Sequence, residues 1–68
     1  MSRGEGGVSP ADLQKFLAGV SYPATKDDLI SIARRNSAPD EIMDAIGRLP
    51  QEKFRGPQEV QRAYGDIA

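Results

Sequence analysis

"RRNSAPDEIMDAI", residues 34–46, is the stretch on which the reading of this chain turns. A basic pair closes one segment of helical spacing, a short turn carrying Pro39 follows, and a second such segment begins. Two helices joined by so short a turn have the outline of a helix-turn-helix, whose second helix lies in the major groove of DNA. On a helical wheel Ile42, Ala45, Ile46 and Leu49 share one side, and Asp40, Glu41, Asp44 and Arg48 stand opposite. An outward face with more carboxylates than guanidinium groups repels phosphate before any base can be read. The turn is therefore read as the corner of a small helical domain, and the same signals recur on both sides of it.

Toward the N-terminus, Thr25-Lys26-Asp27-Asp28 sets a hydroxyl cap three residues before an acid and opens a helix through about Arg35, with Leu29, Ile32 and Ala33 facing inward. Asn36 is expected to take the left-handed turn that closes it. Further back, Ser9-Pro10-Ala11-Asp12 repeats the cap and places proline at the first helical position. Leu13, Phe16, Leu17 and Val20 follow at i, i+3, i+4 and i+7, and Gly19 is expected to end the helix. Ser37 to Asp40 reads as a third capping signature. Beyond Leu49 and Pro50, residues 51–56 read as a loop or short extended piece carrying Phe54. Pro57 then opens a last short helix with Val60, Ala63 and Tyr64 on one face and Gly65 after its end. The spacing predicts an all-α fold, a small single domain of about four short helices over residues 9–68. The Gly-rich residues 1–8 are read as a disordered N-terminal arm. The expected shared core is Phe16, Leu17, Leu29, Ile46, Leu49 and Val60.

Several of these features together resemble a known family. Leu13-Gln14-Lys15, Tyr22-Pro23-Ala24, Asp28-Leu29-Ile30, Ala38-Pro39, Leu49-Pro50 and Pro57-Gln58-Glu59-Val60 make the chain similar to the small bacterial proteins grouped as domain of unknown function 2795. The resemblance spans nearly all of the chain after the N-terminal arm. Members often have glycine where Ser37 stands, which bears on how that turn is made. What the resemblance implies is family identity and a bacterial source; it implies no activity.

Composition removes many chemistries. The 68 residues contain no cysteine and no histidine, so neither a disulfide nor an imidazole or thiolate metal site is available. Nucleophilic triads built on histidine are excluded for the same reason. Gly4, Gly6 and Gly7 neither follow a strand nor precede a Lys-Ser/Thr pair, so no phosphate loop is present. A chain this short also has little room for a pocket. No cofactor and no enzymatic activity are expected. No apolar run reaches the ~18 residues of a membrane span, and the first eight residues do not read as a signal peptide. A cytoplasmic location is expected.

The formal charge is −1, from nine basic and ten acidic side chains, which is no electrostatic footprint for nucleic acid. Asp12, Asp27, Asp28, Asp40, Glu41 and Glu59 fall in expected first turns, and Arg34, Arg35, Arg48 and Arg62 in expected last turns. The helix dipole favours that arrangement by roughly 0.3–1 kcal/mol per site. Asp44 and Arg48 add an i,i+4 pair.

What remains is interaction. Ile30 and Met43 lie at the edges of their inward stripes, where side-by-side helices would merge them into one apolar strip. With Tyr22 they form the candidate partner surface, for another protein or for a second copy of the chain. The bland alternative is that they only widen the core, with Tyr22, Phe54 and Tyr64 closing it where loops cross. Arg34, Arg35, Lys53, Arg55 and Arg62 form a candidate basic surface, on which a nucleic-acid-associated role is the alternative function.

Overall fold

The computed structural model describes residues 8–67. They form four helices, α1 (Pro10–Phe16), α2 (Lys26–Arg35), α3 (Asp40–Gly47) and α4 (Pro57–Ile67), and a two-stranded sheet of β1 (Ala24–Thr25) and β2 (Lys53–Phe54). The fold is mostly helical, and the sheet corrects the all-α expectation. The strands pair antiparallel with Ala24 opposite Phe54 and Thr25 opposite Lys53, and the Lys26 amide donates to the Glu52 carbonyl at 2.9 Å. Strands of two residues are too short to show the alternation that announces a strand in sequence.

Helix starts follow their local chemistry. The Ser9 hydroxyl accepts the Asp12 amide at 3.1 Å, with Pro10 at the first helical position. Thr25 and Asp28 complete a capping box, each side chain accepting the other's backbone amide, at 3.1 and 3.0 Å. Glu59 reaches back to the Arg55 amide at 3.0 Å above the start of α4. The third expected cap is absent: α3 begins after Pro39, with no side-chain cap hydrogen bond.

Helix ends depart further from expectation. Asn36 keeps a negative φ of −86°, and Ser37 instead takes the left-handed conformation at φ 61°. The Asn36 side chain is used elsewhere, its amide donating to the Phe16 carbonyl at 2.9 Å and the Ala18 carbonyl at 3.0 Å. It thereby satisfies carbonyls that the end of α1 leaves open. Helix α1 stops at Phe16, and the turn through residues 17–19 passes Gly19 at φ 94°. Gly65 does not end α4, which runs on to Ile67, half-buried against the core. One glycine in a helix costs about 1 kcal/mol, which that packing offsets. Arg62 accordingly lies inside α4 rather than in its last turn.

The elements divide into two halves of like order, α1–β1–α2 and α3–β2–α4. Leu13, Leu17 and Val20 have the same spacing in the first half as Ile42, Ile46 and Leu49 in the second. The outer helices join reciprocally, Gln14 donating to the Pro57 carbonyl at 3.3 Å and Gln61 to the Pro10 carbonyl at 3.0 Å. Each glutamine lies four residues after the proline that opens its own helix, so α1 and α4 run antiparallel. The shared core holds Leu13, Leu17, Leu29, Ile46, Leu49, Phe54 and Val60. Phe16, expected in it, is half-buried at the end of α1 with the Lys15 ammonium 5.6 Å from its ring centre. Of the expected N-terminal arm, residues 1–7 lie outside the described residues. Val8 is half-buried against the core, and its carbonyl accepts the Tyr64 hydroxyl at 2.6 Å.

Two substitutions test the turns. Ser37→Gly relieves a left-handed residue and should stabilise the domain by about 1 kcal/mol; a destabilised variant in denaturant melts would contradict that backbone assignment. Asn36→Ala strands two carbonyls and should cost about 1–3 kcal/mol, whereas an unchanged midpoint would show that the α1 end does not depend on it.

Candidate functional site

Helix α2 organises the candidate site, because it is flanked differently on its two sides. Its core face is Leu29 and Ala33, both 0% exposed. On one side the Lys26 ammonium donates to the Gly47 carbonyl at 3.4 Å and pairs with Glu52 at 3.5 Å. That contact registers α2 against α3, which packs on it antiparallel across the short turn at residues 36–39. One turn along α2 from Lys26 is Ile30, and one turn back along α3 from Gly47 is Met43. Both are half-buried, each resting on the core and leaving the remainder to water. Ile30 and Met43 thus stand at a similar level of the helix pair, each packed against the core.

Tyr22, half-buried against the core, belongs to the loop before β1, whose Val20, Ser21 and Pro23 wall a groove of about 380 Å³ beside α2. Asp28, Ser31, Ile32 and Arg35 form the opposite wall, with Gly19 at one end. This groove was not legible in the sequence, which placed Ile32 among the inward residues; the structure leaves Ile32 half-buried at the groove. The Tyr22 hydroxyl is buried and makes no hydrogen bond among the described residues, and its burial raises the phenol pKa above the ordinary value. That removes the wet hydroxyl that an aromatic partner site would present at Tyr22. Tyr64 spends its hydroxyl on Val8, and Phe54 is 0% exposed. Tyr64 is half-buried against the core.

The basic residues are dispersed. Lys53 pairs with Thr25 at the start of α2, while Arg34 and Arg35 stand at its far end, about 14 Å of helix away. Arg55 follows β2 and Arg62 lies on α4. All five are exposed, but they are not gathered on one face of α2. Arg48 and Asp44 make the expected i,i+4 pair at 3.6 Å, both well exposed. Among the described residues no cluster of three or more acidic side chains could hold a metal ion, and no helix is long and apolar enough to cross a membrane.

Residues 8–61 match the family described as "Protein of unknown function (DUF2795)", and the chain belongs to it. No curated protein and no solved structure matches. The family description carries no chemistry to the site, so Tyr22 is tested on its own physics. The folded chain holds the phenolic proton more tightly than the unfolded chain does. Stability is therefore full below about pH 10 and falls as the pH rises through the folded pKa. Tyr22→Phe should flatten that alkaline fall. Near neutral pH it should leave stability unchanged or higher, since the lost hydroxyl makes no hydrogen bond among the described residues. Denaturant melts of both chains across the alkaline range check this, and an equally steep fall in the variant would contradict it.

Proposed function

We propose that this DUF2795 member is a small cytoplasmic helical interaction module that binds a protein partner or a second copy of itself. The observation that supports the reading is that Ile30 and Met43, on two consecutive helices that pack together, are both half-buried against the core. Leu29 and Ala33 on α2, with Ile42, Ala45 and Ile46 on α3, already fill the buried side of this helix pair. Contiguous apolar surface beyond that need tends to mark contacts. The role is binding, with no catalytic step and no cofactor assigned to it.

The alternative, an accessory protein on nucleic acid, has weaker support because its five basic residues divide between the two ends of α2 and the last helix. A salt titration separates the two. Nucleic-acid binding falls by orders of magnitude from low to moderate salt, and apolar protein binding does not.

Ile30→Ser with Met43→Gln should retain the helical circular dichroism spectrum and weaken association by about tenfold or more, equivalent to ~1.4 kcal/mol. Sedimentation at several concentrations, and capture of partners from native cell extract, supply the binding readout. Unfolding of the double variant would return both residues to the core, and unchanged association would remove the strip from the contact surface.

A further inference from the structure

The face of α2 turned away from the core carries a charge pattern that pairs with itself when the helix direction is reversed. Asp27, Asp28, Ser31, Arg34 and Arg35 are all exposed there, acids in the first turn and bases in the last. Ser31, a small residue, is at the centre. The half-buried Ile30 and Ile32 border this face, one on each side. The helix dipole accounts for the sign of each end. Two acids open α3 as well, but neither α3 nor α4 carries a base in its last turn, so among these three the pair of opposed charged ends belongs to α2. Asp27, Arg34 and Arg35 form no ion pair among the described residues.

We propose that this face is self-complementary and that a second copy of the chain covers it, the two α2 helices packing antiparallel about a two-fold axis at Ser31. Such an axis reverses the helix direction and keeps each side chain on its own side of the contact. Asp27 then meets Arg34 of the second copy, and Asp28 meets its Arg35. Asp27 and Arg34, like Asp28 and Arg35, lie seven residues apart, two turns or about 10.5 Å, so each acid of one copy reaches a base of the other. The two Ser31 side chains face each other and let the helix axes approach closely. On one border Ile30 meets Ile30 of the second copy, extended on each side by Met43. On the other border Ile32 meets its counterpart, and the grooves walled by Val20 and Pro23 become continuous.

The division of labour follows from magnitudes. Exposed ion pairs contribute about 0–1 kcal/mol each, so the charges set orientation and partner choice. The apolar borders supply the area removed from water. Asp28 retains its cap on the Thr25 amide through one carboxylate oxygen, which leaves the other for the contact.

This inference rests on the reading of the Ile30–Met43 strip as a contact surface, and it names the occupant. The test is sedimentation velocity of the full chain over rising concentration, with circular dichroism to confirm the fold. Asp27→Arg and Arg34→Asp are made separately and together; among the described residues neither side chain forms an ion pair. The wild-type chain should dimerise, and higher salt should weaken the dimer. Each single variant should weaken it by tenfold or more, and the double variant should restore it. An equimolar mixture of the two single variants should dimerise more tightly than either alone, because mixing regenerates both opposite-charge contacts. A wild-type chain that stays monomeric overturns the pairing. So does a dimer that is indifferent to the charge exchange. If that indifferent dimer is nevertheless broken by Ile30→Ser with Met43→Gln, the two-fold arrangement fails while the strip stands as a contact surface. A foreign protein that binds the strip of a monomeric chain leads to the same division.

Discussion

The pairing of Ala24 with Phe54 is the constraint on which the other elements depend. It joins the two halves of the chain through backbone hydrogen bonds and places Phe54, a large fully buried side chain, in the shared core. It also fixes where two helices start. Thr25, opposite Lys53, caps α2 in the next step of the chain, and α4 begins three residues after Phe54. A register slip of one residue would turn Phe54 outward and Lys53 inward, which in a domain this small removes the centre of the core. The long helices are therefore positioned by the shortest elements in the molecule.

Local order and tertiary order interlock at the opposite end of α2. Asn36 closes α1 from a distance, and Ser37 takes the strained turn that leads into α3. With the Gln14 and Gln61 bonds between α1 and α4, polar side chains tie both ends of α1 and the start of α4 to partners far away in sequence. Few of these contacts are large, yet in a domain that buries only roughly 60% of its unfolded surface each of them is a substantial share of the stability. On the outer face of α2 only Asp28 takes part in that economy, through its bond to the Thr25 amide; Asp27, Arg34 and Arg35 form no ion pair among the described residues.

The helix starts were legible because caps are local: Ser9 with Asp12 and Thr25 with Asp28 sit three residues apart and need nothing else. The helix ends were not. Which of Asn36 and Ser37 turns left-handed depends on the Phe16 and Ala18 carbonyls, some 20 residues earlier, that claim the Asn36 amide. The strand at Phe54 was visible only as a possible extended piece, since its partner at Ala24 follows a loop with no apolar alternation of its own. At the candidate site, the half-burial of Ile30 and Met43 could be anticipated from their places at the edges of the helix stripes. The groove beside Ile32 could not, because its far wall comes from the loop at residues 19–23. Tyr22 could be read from the sequence as part of a partner surface or as closing the core where loops cross, and only the packing reveals that its hydroxyl is buried.

The most direct test of the account is a dilution series followed by amide chemical shifts, which reports the contact surface residue by residue without altering the chain. The account predicts concentration-dependent shifts centred on α2, from Asp27 to Arg35, and on Met43, with the amides of Lys53, Arg55 and Arg62 unmoved. Shifts centred on those three basic residues, or none up to millimolar protein, would contradict it.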